Sequence, residues 1–333
     1  RHTRYWRDWS FRRVLFRSAD QSAAKIGIND GQKNASISGS DAKKIIKSSE
    51  IGKNEGGLTV LNFCNFDFLG FQTSDVILEA STKALDRLGM GSCGPRGFYG
   101  TIDVHLQLEE EISKFCRTDQ AILYSDGAST CSSTVAAFAK RGDLLVVDEG
   151  VYEPLSTGVY LSRANVHWFR HNDVEDLERV LKELQETDKK LGRKPGAQRR
   201  FIVVEGLYKN LGTVAPLNEI IALKNKYHYR LILDESFSFG TLGKTGRGAL
   251  EEYNKKPMYD AEITTIALEN SLGSIGGVTV GNEEVVDHQR LSGAGYCYSA
   301  SAPPVSNSCT NVQETYNIRY RTRRLTNWPK VYC

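Results

Sequence analysis

The reading of this chain turns on TTIALENSLGSIGGVTVGN, residues 264–282. A β-like run ends in a turn, and the adjacent glycines Gly276 and Gly277 follow. Paired glycines at such a point let the backbone approach a cofactor or another chain closely. No Lys, Cys, Ser–His pair or set of metal ligands stands at the centre of the stretch. Asn270 stands there instead.

Outward from this stretch the pattern is regular. LTVLNF (58–63) reads as a strand, and SDVILEASTKALDRLG (74–89) as an amphipathic helix with Ser74 as N-cap and Gly89 at its end. TIDVHLQLEEEISKFC (101–116) is a second such helix. Strands and helices then alternate: AILYS (121–125), a helix over about 129–140, DLLVVDE (143–149), a helix near 153–162, VHWFRH (166–171) and the helix at 174–190. Beyond the basic loop LGRKPGAQRR come FIVVEGL (201–207), the helix LNEIIALKNKY (217–227), RLILDES (230–236) and ITTIALE (263–269).

Several of these strands are continuous apolar runs, as expected of strands covered on both faces by helices. The fold class is therefore α/β, a doubly wound and mostly parallel sheet spanning residues 58–304. Ligand chemistry in such a fold is expected at the carboxyl ends of the strands. Residues 1–57, rich in Ser, Lys, Gly and Asn, read as a disordered or atypical N-terminal segment. Residues 305–333 lose the pattern and read as an atypical, truncated tail, since a second domain would need far more chain.

Composition narrows the function. The 333 residues carry a net charge of +3, too little to argue for nucleic acid, and part of it lies in the Arg-rich first eighteen residues. Seven dispersed cysteines without a CxxC pair fit reduced thiols better than a disulfide framework. No apolar run reaches the length of a membrane span.

The strand ends then appear in a telling order. It runs NFCNFDFLGF (62–71), GSCGPRGFYGTIDVHLQLEEEISKF (91–115), FIVVEGLYKNLGTVAPLNEI (201–220), LILDESFSFGTLGKTGRG (231–248), ENSLGSIGG (269–277) and HQRLSGAGYCYSASAPP (288–304). Over roughly 58–304 this series resembles the α-oxoamine synthase family, pyridoxal-phosphate (PLP) enzymes of the fold-type-I aminotransferase class. The resemblance implies an aminotransferase-like large domain, with the C-terminal small domain missing from this chain.

PLP chemistry makes demands that can be checked residue by residue. A Lys forms the internal imine, a carboxylate keeps the pyridine nitrogen protonated, and donors at a helix N-terminus hold the phosphate. By the resemblance Asp234 stands at the carboxylate position, and Asn270 at the Lys position, three residues before Gly273. Asn270 cannot form an imine. Glu269 beside it would repel a phosphate. Tyr152 stands for the stacking His, and Phe237 for a second family His. Gly127 and Ser129 keep the outline of a phosphate loop, but Asp126 puts a negative charge there. Lys244, Lys255 and Lys256 lie outside these motifs. Catalytic residues are thus expected to be absent, with Asp234, Gly127 and Ser129 vestigial, and no metal is expected.

Within the family the wording is closest to non-catalytic, long-chain-base subunits that pair with a Lys-bearing subunit. The resemblance implies PLP bound on that partner, which condenses L-serine with palmitoyl-CoA to 3-ketodihydrosphingosine. It also implies small regulatory membrane subunits and a place on the cytosolic face of the endoplasmic reticulum. The loop Cys93, Gly94, Pro95, Arg96, Gly97, Phe98 and Tyr99 is expected to enter the partner's active site. There Arg96 would meet a carboxylate or phosphate, Phe98 and Tyr99 would give contact area, and Cys93 would be a small, tightly packed residue. His171, His105 and His288 read as structural or surface residues, and GKTGRG (243–248) as a turn. Two other readings stay open: a self-sufficient PLP acyltransferase using another lysine, and a scaffold with no part in the active site.

Overall fold

A computed structural model describes residues 66–71, 74–193, 196 and 198–306. The expected strand at 58–63, the segment 1–57 and nearly all of the tail lie outside the described residues.

The elements follow the hydrophobic pattern closely. Helix α1 spans Asp75–Leu88 and α2 spans Asp103–Cys116. Next come β1 (Gln120–Tyr124), α3 (Gly127–Phe138), β2 (Leu144–Asp148), α4 (Glu153–Ser162), β3 (Asn165–Phe169) and α5 (Val174–Leu191). The chain continues through β4 (Arg200–Glu205), α6 (Leu217–Tyr227), β5 (Arg230–Asp234), the short α7 (Ala249–Glu252), β6 (Ile263–Ala267), β7 (Gly277–Gly281), α8 (Glu283–Ser292) and α9 (Ala294–Cys297). Local chemistry sets the ends. Asp173 caps α5 by accepting from Asp176 N at 2.9 Å, and Gly192 closes the same helix at φ 60°.

The seven strands form one sheet in the order β1-β7-β6-β5-β4-β2-β3. Strands β3, β2, β4, β5 and β6 run parallel, and β7 is antiparallel to both β6 and β1. The parallel core matches the expectation. The strand β7 was not legible because its pattern, GVTVG, begins and ends in glycine. Alternation sorts the β1 side chains between two faces. Leu123 packs with Ile266, Val278 and the α2 residues Leu108 and Ile112, while Ile122 and Tyr124 pack with Val286 and Tyr296. The largest core lies between the other helices and β2–β5 and includes Val135, Leu155, Leu177, Ile202 and Ile232.

The glycine pair makes a close approach within the chain itself. Gly276 adopts φ 125°. A Cβ on Gly277 would collide with Thr130 Oγ1 and the Gly127 Cα, so β7 passes directly beneath the first turn of α3. The close approach seen is to this chain's own helix.

Among the described residues no helix is long and apolar enough to cross a membrane, and no group of three potential ligands could hold a metal ion.

Candidate functional site

The carboxyl ends of β1, β2, β4, β5 and β6 bring the strand-end residues to one edge of the sheet. Asp234 ends β5 and is buried. Its Oδ1 accepts from Ser236 Oγ at 2.7 Å, Thr265 Oγ1 at 2.7 Å and Cys131 Sγ at 3.3 Å. Its Oδ2 has no hydrogen-bond partner. Burial raises the Asp234 pKa, against the pull of those donors.

Tyr152, expected at the stacking position, is buried beside the same group. Its hydroxyl sits 2.9 Å from Cys131 Sγ, and its ring meets Phe237 edge-on at 5.9 Å. Phe237 in turn packs edge-on against Phe66 at 5.3 Å, the purely apolar role its chemistry allows. Burial, then the Asp234 charge, pushes both the Tyr152 hydroxyl and the Cys131 thiol up, so both stay protonated. Cys131 was not legible as a site residue, since it lies inside an ordinary helical pattern.

Glu205 ends β4 and carries Tyr152 by accepting its N–H at 2.6 Å, with Lys209 N donating to the other oxygen at 2.9 Å. Burial, and then Asp234, push Glu205 up to about 8. Lys209 was also missed. Its Nζ lies 5.8 Å from the Tyr152 ring centre and 5.7 Å from that of Phe237, cation–π distances. The signal was present in the strand end EGLYKN, where the lysine follows the aromatic by one position.

Around the start of α3, where a phosphate loop was expected in outline, two acids stand. Asp126 caps the helix: Oδ1 accepts from Ser129 N at 2.7 Å and Oδ2 from Ser129 Oγ at 2.7 Å. Glu269 lies against the same turn, where a Cβ on Gly127 would collide with its Oε1. Its pKa is raised by burial and by Asp126 nearby. Asn270 is buried, and its Nδ2 donates to the Ser236 carbonyl at 2.7 Å.

PLP can be tested against these residues. The unpartnered Asp234 Oδ2 suits a protonated pyridine nitrogen. The rest does not fit. Tyr152 leans across to Cys131, the helix start is capped by its own carboxylate with a second acid beside it, and Asn270 offers no amine. Of these residues only Asp234 suits PLP, and the others do not fit it.

The loop at 91–100 shows a different division of labour from the one expected. Phe98 and Tyr99 are 74% and 94% exposed. Arg96, expected at a partner's surface, turns inward and is 4% exposed. It meets Glu109 with both guanidinium nitrogens, at 2.9 and 3.0 Å, and donates to Thr101 Oγ1 at 3.0 Å and to the Leu123 carbonyl at 3.3 Å. Glu109 also accepts from Leu123 N at 2.8 Å. The sequence hint was an acid on the apolar face of a helix, which requires a buried partner. Cys93, expected to be tightly packed, is exposed at φ 59° in a turn. Gly94 and Gly100 cross closely, because a Cβ on Gly100 would collide with the Gly94 carbonyl. Ser301 clamps both: its N–H donates to Gly94 O at 3.0 Å and its hydroxyl to Gly100 O at 2.7 Å.

The three histidines singled out each meet groups of this chain. His105 is buried, with Nε2 2.8 Å from Ala302 O and Nδ1 accepting from Ile102 N at 3.3 Å. His171 bridges Asp148 at 2.9 Å and Thr213 at 2.8 Å, and His288 Nε2 lies 2.9 Å from the Ala137 carbonyl.

The parallel sheet, its antiparallel β7 and the strand-end carboxylate define the large domain of an aminotransferase-like PLP protein. The chain belongs to the aminotransferase class I and II family, which it matches over residues 59–327. It is 47% identical over 248 residues to long chain base biosynthesis protein 1 of Arabidopsis thaliana, covering 74% of this chain and 50% of that protein. It is 48% identical over 244 residues to serine palmitoyltransferase 1 of Dictyostelium discoideum, covering 73% and 50%. The chain thus spans about half the length of these relatives. Among solved structures it resembles a Sphingomonas wittichii serine palmitoyltransferase with TM-score 0.71 and 27% identity, over 79% of this chain and 62% of that one. PLP is the cofactor of this group, and a solved serine palmitoyltransferase holds it as an internal aldimine.

Proposed function

We propose that this chain acts in sphingoid-base synthesis as the non-catalytic subunit of a serine palmitoyltransferase, at the endoplasmic reticulum membrane. Its partner would be the Lys-bearing subunit 2, which binds PLP and condenses L-serine with palmitoyl-CoA. Small regulatory membrane subunits would join the pair. The relatives named above support the assignment to this enzyme. Asn270 carries the non-catalytic part: at the family's Lys position it is a buried amide tied to the Ser236 carbonyl.

On this reading the chain's residues hold a frame and present a surface. Asp126 and Glu269 keep the former phosphate position negative. Tyr152 and Phe237 fill the space beside Asp234. Arg96 and Glu109 hold the loop so that Phe98 and Tyr99 project from it, ready to meet the partner. Gly94, Pro95 and Gly97 shape the loop, and Cys93 lies on its exposed side.

The test is co-expression of tagged chain with subunit 2. The two proteins copurify and the complex forms 3-ketodihydrosphingosine, while the chain alone does not. A chain that fails to copurify with subunit 2 overturns the reading.

Lys209, beside the Tyr152 and Phe237 rings, favours one rival, a self-sufficient enzyme using a displaced lysine. Borohydride reduction of the isolated chain with added PLP distinguishes it, since that rival requires a reduced PLP adduct at Lys209.

A further inference from the structure

The GKTGRG segment is a turn whose backbone donors are already in use. Thr245 N and Arg247 N donate to Glu251 Oε2 at 2.9 and 3.2 Å, Thr245 Oγ1 donates to Glu251 Oε1 at 2.7 Å, and Gly243 N donates to Glu252 Oε2 at 3.2 Å. An internal carboxylate sits where a loop of this kind would otherwise cradle an external anion. The cations of the segment and its neighbours remain.

Arg117, Lys244, Arg247, Lys255 and Lys256 all line one cavity of about 290 Å³. It lies on the α2 face of the sheet, with Leu250, Ile266 and Val280 among its lining. The carboxylates in its wall are committed. Glu251 holds the turn, and Glu235 accepts from Ala249 N at 2.8 Å and Leu250 N at 3.0 Å. Arg247 is committed too, through its ion pair with Glu251 and its position over the Phe115 ring at 4.7 Å. Among the described residues no ion pair involves Arg117, Lys244, Lys255 or Lys256.

Two chain reversals bring these cations to one place. Arg117 ends α2 at φ 58°, and Asn254 turns at φ 53° just before the two lysines. Four positive charges without an ion-pair contact among the described residues line one cavity, outnumbering the carboxylates in its wall, and a polyanion between them relieves their repulsion. Lysines suit phosphate as compact point charges. The apolar wall suits a small non-polar portion attached to it.

We propose that this cavity binds a phosphate-bearing ligand, a phosphomonoester or diphosphate group with a small apolar part. The site is separate from the Asp234 edge and independent of the function proposed above. Its ligand is either a soluble phosphate compound or the headgroup of an anionic phospholipid.

The full chain is titrated calorimetrically with inorganic pyrophosphate. In parallel it is sedimented with phosphatidylcholine vesicles with and without phosphatidic acid. The variant Lys244→Glu/Lys256→Glu reverses two exposed charges, and Lys182→Glu, at the far sheet edge on α5, is the control. The expected result is saturable binding to pyrophosphate that the double variant weakens at least about tenfold and the control leaves unchanged. Binding only to phosphatidic acid vesicles, with the same dependence on the two lysines, supports the site with lipid as its source. Absence of binding in both arms overturns the proposal. So does binding that the double variant leaves unchanged or that the control weakens equally. Thermal melts of the three proteins exclude loss of fold as the cause.

Discussion

Asn270 Nδ2 donates to the backbone carbonyl of Ser236 at 2.7 Å, tying the β6–β7 turn to the residues after β5. The amide is therefore a structural tie, and on the proposed function introducing a lysine there meets more than a missing amine. Asn270→Lys alone is expected to give no imine absorbance with PLP, because Asp126, Glu269 and Tyr152 are unchanged. It would also place an amine where a buried hydrogen bond stood, costing about 1–3 kcal/mol. Absorbance scans and denaturant melts of the variant check both statements.

Arg96 and Glu109 form a buried pair, so removing one partner strands the other. Glu109→Ala is expected to destabilise the fold by about 3–5 kcal/mol, measured by urea unfolding. Phe98→Ser/Tyr99→Ser touches only exposed rings and should leave the unfolding midpoint nearly unchanged. On the proposed function it should weaken copurification with subunit 2. Equal effects of the two variants on stability would contradict this division of the loop into anchor and surface.

Gly100 lies against the Gly94 carbonyl, and Gly277 lies under α3. Gly100→Ala and Gly277→Ala each require backbone to move and are expected to cost more than about 2 kcal/mol. Gly91→Ala has open space around its Cβ and serves as the neutral control. Thermal melts rank the three.

Glu205 is pushed up to about 8 and Glu235 up to about 7, in each case chiefly by burial. Between the ordinary glutamate range and those values the folded state keeps protons that the unfolded state has released. Stability from these groups is present at low pH and is lost as pH rises toward 8, at up to about 1.4 kcal/mol per pH unit for each group. Urea midpoints should fall from pH 5.5 to pH 8, and Glu205→Gln should flatten that slope. A midpoint that rises over this range would contradict the assignment.

Period and punctuation made most of the fold legible. The helix at 217–227 and the end of α1 at Gly89 follow directly from apolar spacing and a glycine stop. β7 escaped because five residues flanked by glycines carry too little pattern. The strand-end positions stood out in the sequence because each expected alteration is a change of chemical type at one place in a motif. What escaped depended on distance across the fold. Cys131 reaches Asp234 from a helix, and Glu109 reaches Arg96 thirteen residues away, so neither partnership is written in local sequence. Arg96 was misplaced for the same reason. A loop's composition shows that it is special, but not which of its side chains turn inward.

On the proposed function the cofactor chemistry belongs to the partner. This is tested most directly by borohydride reduction of the copurified complex with PLP, followed by peptide mass spectrometry of both chains. The expected result is a single reduced adduct on a lysine of subunit 2 and none on this chain. An adduct on this chain, at Lys209 or any other lysine, would contradict it.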